Sequence, residues 1–362
     1  MTSKFLKYPT IPIRIGKGKN AAKLLAEMLA TGFQGKSLGE AYLVWKQMLT
    51  EKKITIWLGI SGAIIPAGMR RVIAYLIKNR MVDVIVSTGA QLFHDAAEAL
   101  GVRHYRGSAY VDDKALLEEG IDRFYDVLVQ EDLQRKIDRD IQKFIEEVLE
   151  PNYQYSSREF FCLLGEYLEK KAKEKDSILI ECYKAGVPVF APGLCDSSIG
   201  YSFVMARRGI RDRKDGKGFE ETGKSVFRYI DQMKDTDETV QIAESSAKSG
   251  VIYLGGGVPK NFIQQTELLN LILGHALPGH EYAIQITTDN PHFGGLSGCT
   301  FAEAQSWGKI AKEARIAQCF CDITIALPLL VHGLAEHENL AKKRKKPVFD
   351  WEDAHLKIKY EA

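Results

Sequence analysis

The sequence predicts an α/β protein built on a doubly wound, mostly parallel sheet of about six strands, with helices on both faces and extra helical segments. Three observations carry this. Short apolar runs rich in Val and Ile recur along the chain, each ends in Gly, Ser, Thr or Asp, and a segment with helical apolar spacing follows each one. Continuous rather than alternating apolar runs suit strands covered on both faces.

The elements follow in order. "NAAKLLAEMLATGF" and "LGEAYLVWKQMLTEKK" space apolar residues three and four apart, predicting two amphipathic helices. "ITIWLGI" (54–60) and "VDVIVSTGA" (82–90) are strands ending in small residues, followed by the helices "MRRVIAYLIKN" and "QLFHDAAEAL". The stretch 110–180 is charged and reads as helical, through "DLQRKIDRDIQKFIEEVLE" and "SREFFCLLGEYLEKKAKEK". Alternation then resumes: "VPVFAPG" precedes "LCDSSIG", "SGVIYLGGG" precedes "VPKNFIQQTELLNLIL", "HEYAIQITT" precedes a Gly-rich loop, and "RIAQCFCD" precedes "ITIALPLLVHGLAEH". Residues 1–340 read as a single domain, and 341–362 as a basic C-terminal tail whose "AKKRKK" is a solvated helix end.

Composition narrows the function classes. With 49 basic and 47 acidic side chains the formal charge is +2, so no polyanion-binding surface, and hence no nucleic-acid partner, is expected. No apolar run reaches the roughly 18 residues of a membrane span, and the N-terminus lacks a signal-peptide core, which predicts a cytoplasmic protein without a membrane partner. The 6 cysteines are scattered, and "CFC" has the wrong gap for a zinc knuckle, so no metal site is expected and reduced, mostly buried thiols are.

Ligands in such a fold bind at the carboxyl ends of the strands. There "LGGGVPK" sets Gly255, Gly256 and Gly257 before a helix, which suits either a phosphate cradle or a tight strand-to-helix turn. Asp196 and Asp322 stand at strand ends where an acid either caps a helix or holds a ribose or a cationic nitrogen. The least ordinary stretch is "TTDNPHFGGLSGCTFAEAQSWGKI" (287–310), a Gly-rich loop running into a helical segment with Glu303, Trp307 and Lys309. Glu303 and Trp307 are four apart, hence on one helix face, with Lys309 projecting from its end. An indole beside an amine supplies cation–π attraction and excludes water; a desolvated lysine keeps a lone pair free for attack on carbon. Pattern alone leaves Lys309 either a solvated charge or a nucleophile.

The motifs "NRMVDVIVSTGA", "PVFAPGLCDSSIG", "LGGGVPK", "SWGKI" and "CDITIALPLL", in this order over residues 10–340, resemble the deoxyhypusine synthase family. The resemblance implies a Rossmann-like NAD-binding catalytic domain, assembled as a homotetramer with active sites at a dimer interface. It also implies a reaction: NAD takes a hydride from the secondary amine of spermidine, diaminopropane leaves, and a lysine holds the aminobutyl group as an imine until an acceptor amine takes it. Lys309 matches that lysine, with Glu303 and Trp307 at the substrate-lining positions, and Thr88, Gly89, Asp196, Gly256, Gly257, Thr288 and Asp322 fall on or beside dinucleotide contacts.

The chain departs from the eukaryotic pattern in the polyamine pocket. His94 stands for a glutamate, Tyr201 for an aspartate, Asn261 for a histidine and Leu296 for an acid. These changes alter charge at amine-contacting positions, resemble the bacterial deoxyhypusine synthase-like branch, and predict a different donor or acceptor. The expected activity is an NAD-dependent aminobutyl transferase using spermidine or a related polyamine, with a small amine as acceptor and a homospermidine-type product. A protein lysine as acceptor, or a non-catalytic NAD- or polyamine-binding role, are the rivals. His94 offers an imidazole as base or as plain hydrogen-bonding group, and His292 is a second candidate; His104, His332, His337 and His355 read as structural or surface residues.

Overall fold

A computed structural model describes residues 6–213, 219–275, 277–352 and 355–361. The first five residues of the lead-in and 353, 354 and 362 of the tail lie outside it. Two compact units interleave along the sequence: one comprises Met1–Ile60, Asn79–Val84 and Glu238–Ala362, the other Ser61–Lys78 and Ile85–Asp237.

Six strands form at the six places expected: β1 Thr55–Ile60, β2 Val84–Ser87, β3 Val189–Phe190, β4 Ser249–Leu254, β5 His280–Thr287 and β6 Ile310–Phe320. In the first unit they run in the order β6-β5-β4-β1, all parallel, with Trp57 opposite Val251, Ile252 opposite Ile284 and Ile284 opposite Ala317. In the second unit β2 and β3 pair in parallel, Ile85 opposite Val189. Every residue of β1, β2 and β4 is buried, which is why these segments are apolar without alternation.

Two helices, Asp113–Glu118 and Gln232–Ser245, are not singled out by the spacing; the others up to Ala335 follow it. They are α1 Ala21–Met28, α2 Phe33–Met48, α3 Arg70–Lys78, α4 Gly89–Ala99, α5 Glu131–Val148, α6 Ser157–Lys171, α7 Ile178–Ala185, α8 Ser198–Arg208, α9 Gly257–Ile272, α10 Phe301–Ser306 and α11 Ile323–Ala335. Local chemistry sets their starts: Ser156 and Glu159 form a reciprocal capping box on α6, and Asp322 caps α11 by accepting from the Thr324 N–H. Among the described residues no helix is long and apolar enough to cross a membrane.

Three local expectations differ from the structure. Residues 105–130 contain an antiparallel ribbon, Tyr105–Arg106, Ile121–Phe124 and Val127–Gln130, because "IDRFYDVLVQ" turns at Tyr125 (φ 55°) instead of continuing a helical period. The basic tail is not only a helix end. After a short helix, Glu338–Lys343, it forms an antiparallel hairpin, β7 Lys346–Glu352 and β8 His355–Glu361, with the period-two alternation of "HLKIKYE". The six cysteines are free, but only Cys182 and Cys319 are buried.

Within the first unit, Arg344 from that tail enters the core and is wholly buried with Asp83. Its two terminal nitrogens each lie 2.8 Å from an Asp83 oxygen and also reach the Ile54 and Arg80 carbonyls, while the Ile56 N–H donates to Asp83 at 2.9 Å. The pair thus ties β1, the segment before β2 and the C-terminal region together. Removing one partner strands a buried charge. Arg344→Ala is expected to cost about 3–5 kcal/mol in urea unfolding, and a loss below about 1 kcal/mol would contradict the clamp.

A second buried group joins β4, β5 and α9. His280 Nδ1 lies 2.7 Å from Ser249 Oγ and 3.4 Å from Glu267. Burial, reinforced by Glu281, pushes the Glu267 carboxyl up to about 8, and burial drives His280 down to about 3, so both are uncharged at neutral pH. A carboxyl whose folded value is raised stabilises below its unfolded value of 4.5, and that contribution fades as pH climbs toward 8. Glu267→Gln should therefore lose less stability than the parent between pH 5 and 8 in paired urea titrations; equal losses would contradict the assignment.

Candidate active site

In the first unit β4 runs into the Gly255–Gly257 turn that starts α9. Gly255 and Gly257 adopt left-handed φ of 80° and 56°, and a Cβ on Gly256 would meet the Ser297 Cα at 2.5 Å. Ser297 Oγ accepts from the Gly257 N–H at 2.8 Å. The glycines therefore admit close approach of the chain's own 296–298 turn, and one N–H of the turn is already engaged. One turn into α9, Lys260 is 1% exposed. Its Nζ donates to Gln285 Oε1 on β5 at 2.9 Å and to the Cys299 carbonyl at 2.5 Å. The Gln285 amide in turn donates to the Gly255 and Ser297 carbonyls at 2.8 and 2.7 Å. Burial, with Lys309 adding a like charge, brings Lys260 down to about 8 against the pull of Cys299, Glu303 and Asp289.

This network fixes the loop that carries the site. Thr300 caps α10 by accepting from the Glu303 N–H at 3.1 Å. The helix stops at Ser306; Trp307 is its C-cap, and Gly308 at φ 71° reverses the chain, so Lys309 leads into β6 rather than projecting from the helix. The β5–β6 ladder slips just beyond, from His280 opposite Ile310 to Tyr282 opposite Arg315. Lys309 Nζ lies 5.4 Å from the Trp307 ring centroid, within cation–π range. A cavity of about 190 Å³ is lined by Asn261, Leu296, Cys299, Glu303, Trp307 and Lys309. Five residues singled out from the sequence thus share one concave surface. Lys309 is half-buried, but the indole is 57% exposed and Glu303 is also exposed, so in a single chain the tryptophan does not shut out water. Thr288 and Asp322, exposed at the ends of β5 and β6, are not among the cavity's lining residues. His292, in the loop before Gly294, does not line it either.

In the second unit Thr88 and Gly89 begin α4 at the end of β2, and Asp196 precedes α8 at the end of β3. A Cβ on Gly89 would lie 2.4 Å from Ser197 Oγ, so only glycine allows the two helix starts to meet. Asp196 is exposed, and Tyr201 on α8 is 56% exposed. His94 on α4 is 7% exposed and packs edge-on to Phe93 and Phe124. Burial, and then the neighbouring His104, bring it down to about 4, which keeps it neutral at pH 7. Its Nδ1 is 3.3 Å from His104 Nε2, and His104 Nδ1 is 2.8 Å from Glu98.

Each unit therefore presents hydroxyls, carboxylates and helix N-termini at strand carboxyl ends. Hydroxyls and carboxylates of this kind suit ribose hydroxyls, and helix starts favour phosphate, so the groups in each unit are chemically compatible with a dinucleotide.

The sequence reading passed over four residues that shape these surfaces. Lys260 falls on the buried side of α9 with Pro259, Ile263 and Gln264, and a lysine at an inward position is the signal that could have marked it. Gln285 is likewise polar within the buried run of β5. Ser297 carried no signal of its own. His104 was read as structural, and only its spatial partner, His94, gives it interest.

Fold and site together define an α/β enzyme with a lysine amine beside an indole at the edge of a parallel sheet. A sequence profile of deoxyhypusine synthase matches residues 23–334, and the chain belongs to the deoxyhypusine synthase family of transferases. It is 50% identical, over 98% of both chains, to a Methanosarcina mazei protein named probable deoxyhypusine synthase 2. It is 38% identical to the deoxyhypusine synthase-like protein of Chlorobaculum tepidum, over 92% of this chain and 91% of that one. The crystal structure of an Entamoeba histolytica protein assigned as a deoxyhypusine synthase superposes with a TM-score of 0.58 at 18% identity, covering 88% of this chain and 93% of the other, and supports the fold.

Lys260→Met preserves most of the buried bulk but deletes the donors to Gln285 and Cys299. Limited proteolysis should then cut within 289–300 sooner than in the parent. Unchanged cleavage would show that the loop does not depend on this amine.

Proposed function

We propose that this protein is an NAD-dependent aminobutyl transferase that takes spermidine or a related polyamine as donor and a small amine as acceptor. The observation that carries the reading is the Lys309 amine 5.4 Å from the Trp307 ring, in a cavity shared with Glu303. When bound at the strand ends, the nicotinamide would supply the oxidant, accepting hydride from the donor's secondary amine and returning it at the close. Everything else falls to the chain. Lys309 attacks the oxidised carbon, diaminopropane departs, and the aminobutyl group stays on Nζ as an imine until the acceptor amine displaces it. The indole face holds the cationic chain, and the Glu303 carboxylate takes and returns protons as amines are exchanged. Thr88, Gly89, Asp196, Gly256, Gly257, Thr288 and Asp322 serve the dinucleotide.

The four departures from the eukaryotic pattern support the small acceptor. Asn261 and Leu296 line the cavity without charge, so it offers an amine fewer anions than the synthase proper, and in the second unit His94 is held neutral where the eukaryotic pattern has a carboxylate. His94 acts as base toward the amine, and Tyr201 supplies a neutral hydroxyl. At the cavity, Trp307 is 57% and Leu296 43% exposed, an apolar rim that a second copy in the family's homotetramer would cover. The same open mouth favours one rival, a lysine side chain presented by a protein.

The test is incubation with spermidine, putrescine and NAD, followed by chromatography of the amines. Homospermidine and diaminopropane should appear in equal amounts, and Lys309→Arg should lower the yield by about 10³-fold or more. Unconsumed spermidine would overturn the reading; consumption that requires a protein acceptor would favour the rival.

A further inference from the structure

The second unit contains a hydrogen-bonded line of ionisable groups that the transferase reading uses only at one end. Glu98 stands at its base. One carboxylate oxygen lies 2.7 Å from Arg70 Nε and the other 2.8 Å from His104 Nδ1. A carboxylate accepts only, so His104 Nδ1 must carry the proton. In neutral His104, Nε2 is then a lone pair, and the His94 Nδ1 that faces it at 3.3 Å must be the donor. The tautomer of His94 is thereby fixed, with its Nε2 left as the basic nitrogen.

We propose that Glu98, His104 and His94 form a proton relay that makes His94 Nε2 the proton acceptor of this enzyme and carries the captured proton to an open cleft. The proposal rests on the reading in which His94 meets the amine. The step balances without a further reactant. A proton arrives at His94 Nε2, the Nδ1 proton passes to His104 Nε2, and the positive charge ends on a His104 imidazolium held against the Glu98 carboxylate. His94 is left neutral. That outcome matters because His94 is buried between two phenyl rings, where a charge is costly, whereas His104 has a carboxylate in contact.

The outlet is visible. His104 and Glu98 line a cleft of about 550 Å³, together with Arg70, Arg71, Arg103 and Glu174. The charged groups facing the relay are thus the cation of Arg70, paired with Glu98 itself, and the outer Arg71 and Arg103, which both pair with Glu174, Arg71 also with Asp176. Phe124 closes the other side against both imidazoles. Glu98 and His104 are positioning residues here, acting only through His94.

Two measurements test this on the full-length protein. Histidine ¹⁵N spectra of the parent, assigned by loss of signals in His94→Gln and His104→Gln, should show both rings protonated on Nδ1 and free on Nε2. A His94 protonated on Nε2 would overturn the relay whatever the kinetics. The second is the pH profile of spermidine consumption. His94→Gln should slow turnover by about 10²-fold. Glu98→Gln and His104→Gln should each lower kcat/KM by about tenfold, and Glu98→Gln should move the ascending limb at least about one unit toward acid, since the relay loses the carboxylate that favours its protonated form. If His94→Gln is slow while both other variants keep the parental midpoint, the relay is wrong and His94 acts alone. If His94→Gln turns over at the parental rate, the reading of His94 as a substrate-facing base falls, and the relay with it.

Discussion

A lysine buried where lysines rarely sit organises the surface on which the proposed chemistry depends. Lys260 spends its donors on Gln285 and on the Cys299 carbonyl, and Gln285 extends the same connection to Gly255 and Ser297. The Gly-rich segment after β5 would otherwise be a long unsupported loop. Tethered at the Cys299 carbonyl, it delivers Thr300 as a cap, α10 as a short helix, and Trp307 and Lys309 on either side of a reversing glycine. The energetic condition is strict, because an amine in this setting is tolerated only while its partners stay in place. Shape at the cavity is therefore a consequence of electrostatics beneath it.

The two histidines of the second unit show the same logic with the opposite sign of charge supplied. An imidazole packed against aromatic rings remains neutral, and a carboxylate two bonds of the network away decides which nitrogen carries the hydrogen. In the proposed reading the lysine and indole of the family are kept, while the positions that would meet the substrate's charges carry Asn261, Leu296, Tyr201 and His94.

Much of this was legible in the sequence. All six strands lie where apolar runs end in small or acidic residues, because strands covered on both faces leave that mark, and the helices between them carry a three-to-four spacing. The gathering of Asn261, Leu296, Glu303, Trp307 and Lys309 was implied by the family resemblance. The remainder depended on contacts between distant segments. Nothing local in "KRKKPVF" says that Arg344 turns inward to Asp83, more than 250 positions earlier, while its basic neighbours face water. Likewise "IDRFYDVLVQ" carries too short a period to separate ribbon from helix, and the His94 ring that His104 meets lies across a turn. Desolvation was also misplaced: the buried amine is Lys260, which holds the loop at the Cys299 carbonyl, while the indole beside Lys309 stands largely open in the single chain.

The claim on which the account rests is that Lys309, and not its buried neighbour Lys260, accepts the carbon chain. Peptide mapping by mass spectrometry after incubation with spermidine and NAD under cyanoborohydride decides it. The account predicts an aminobutyl group on the peptide containing Lys309 and nowhere else. A modified Lys260, or no modified lysine in protein that consumes spermidine, would contradict it.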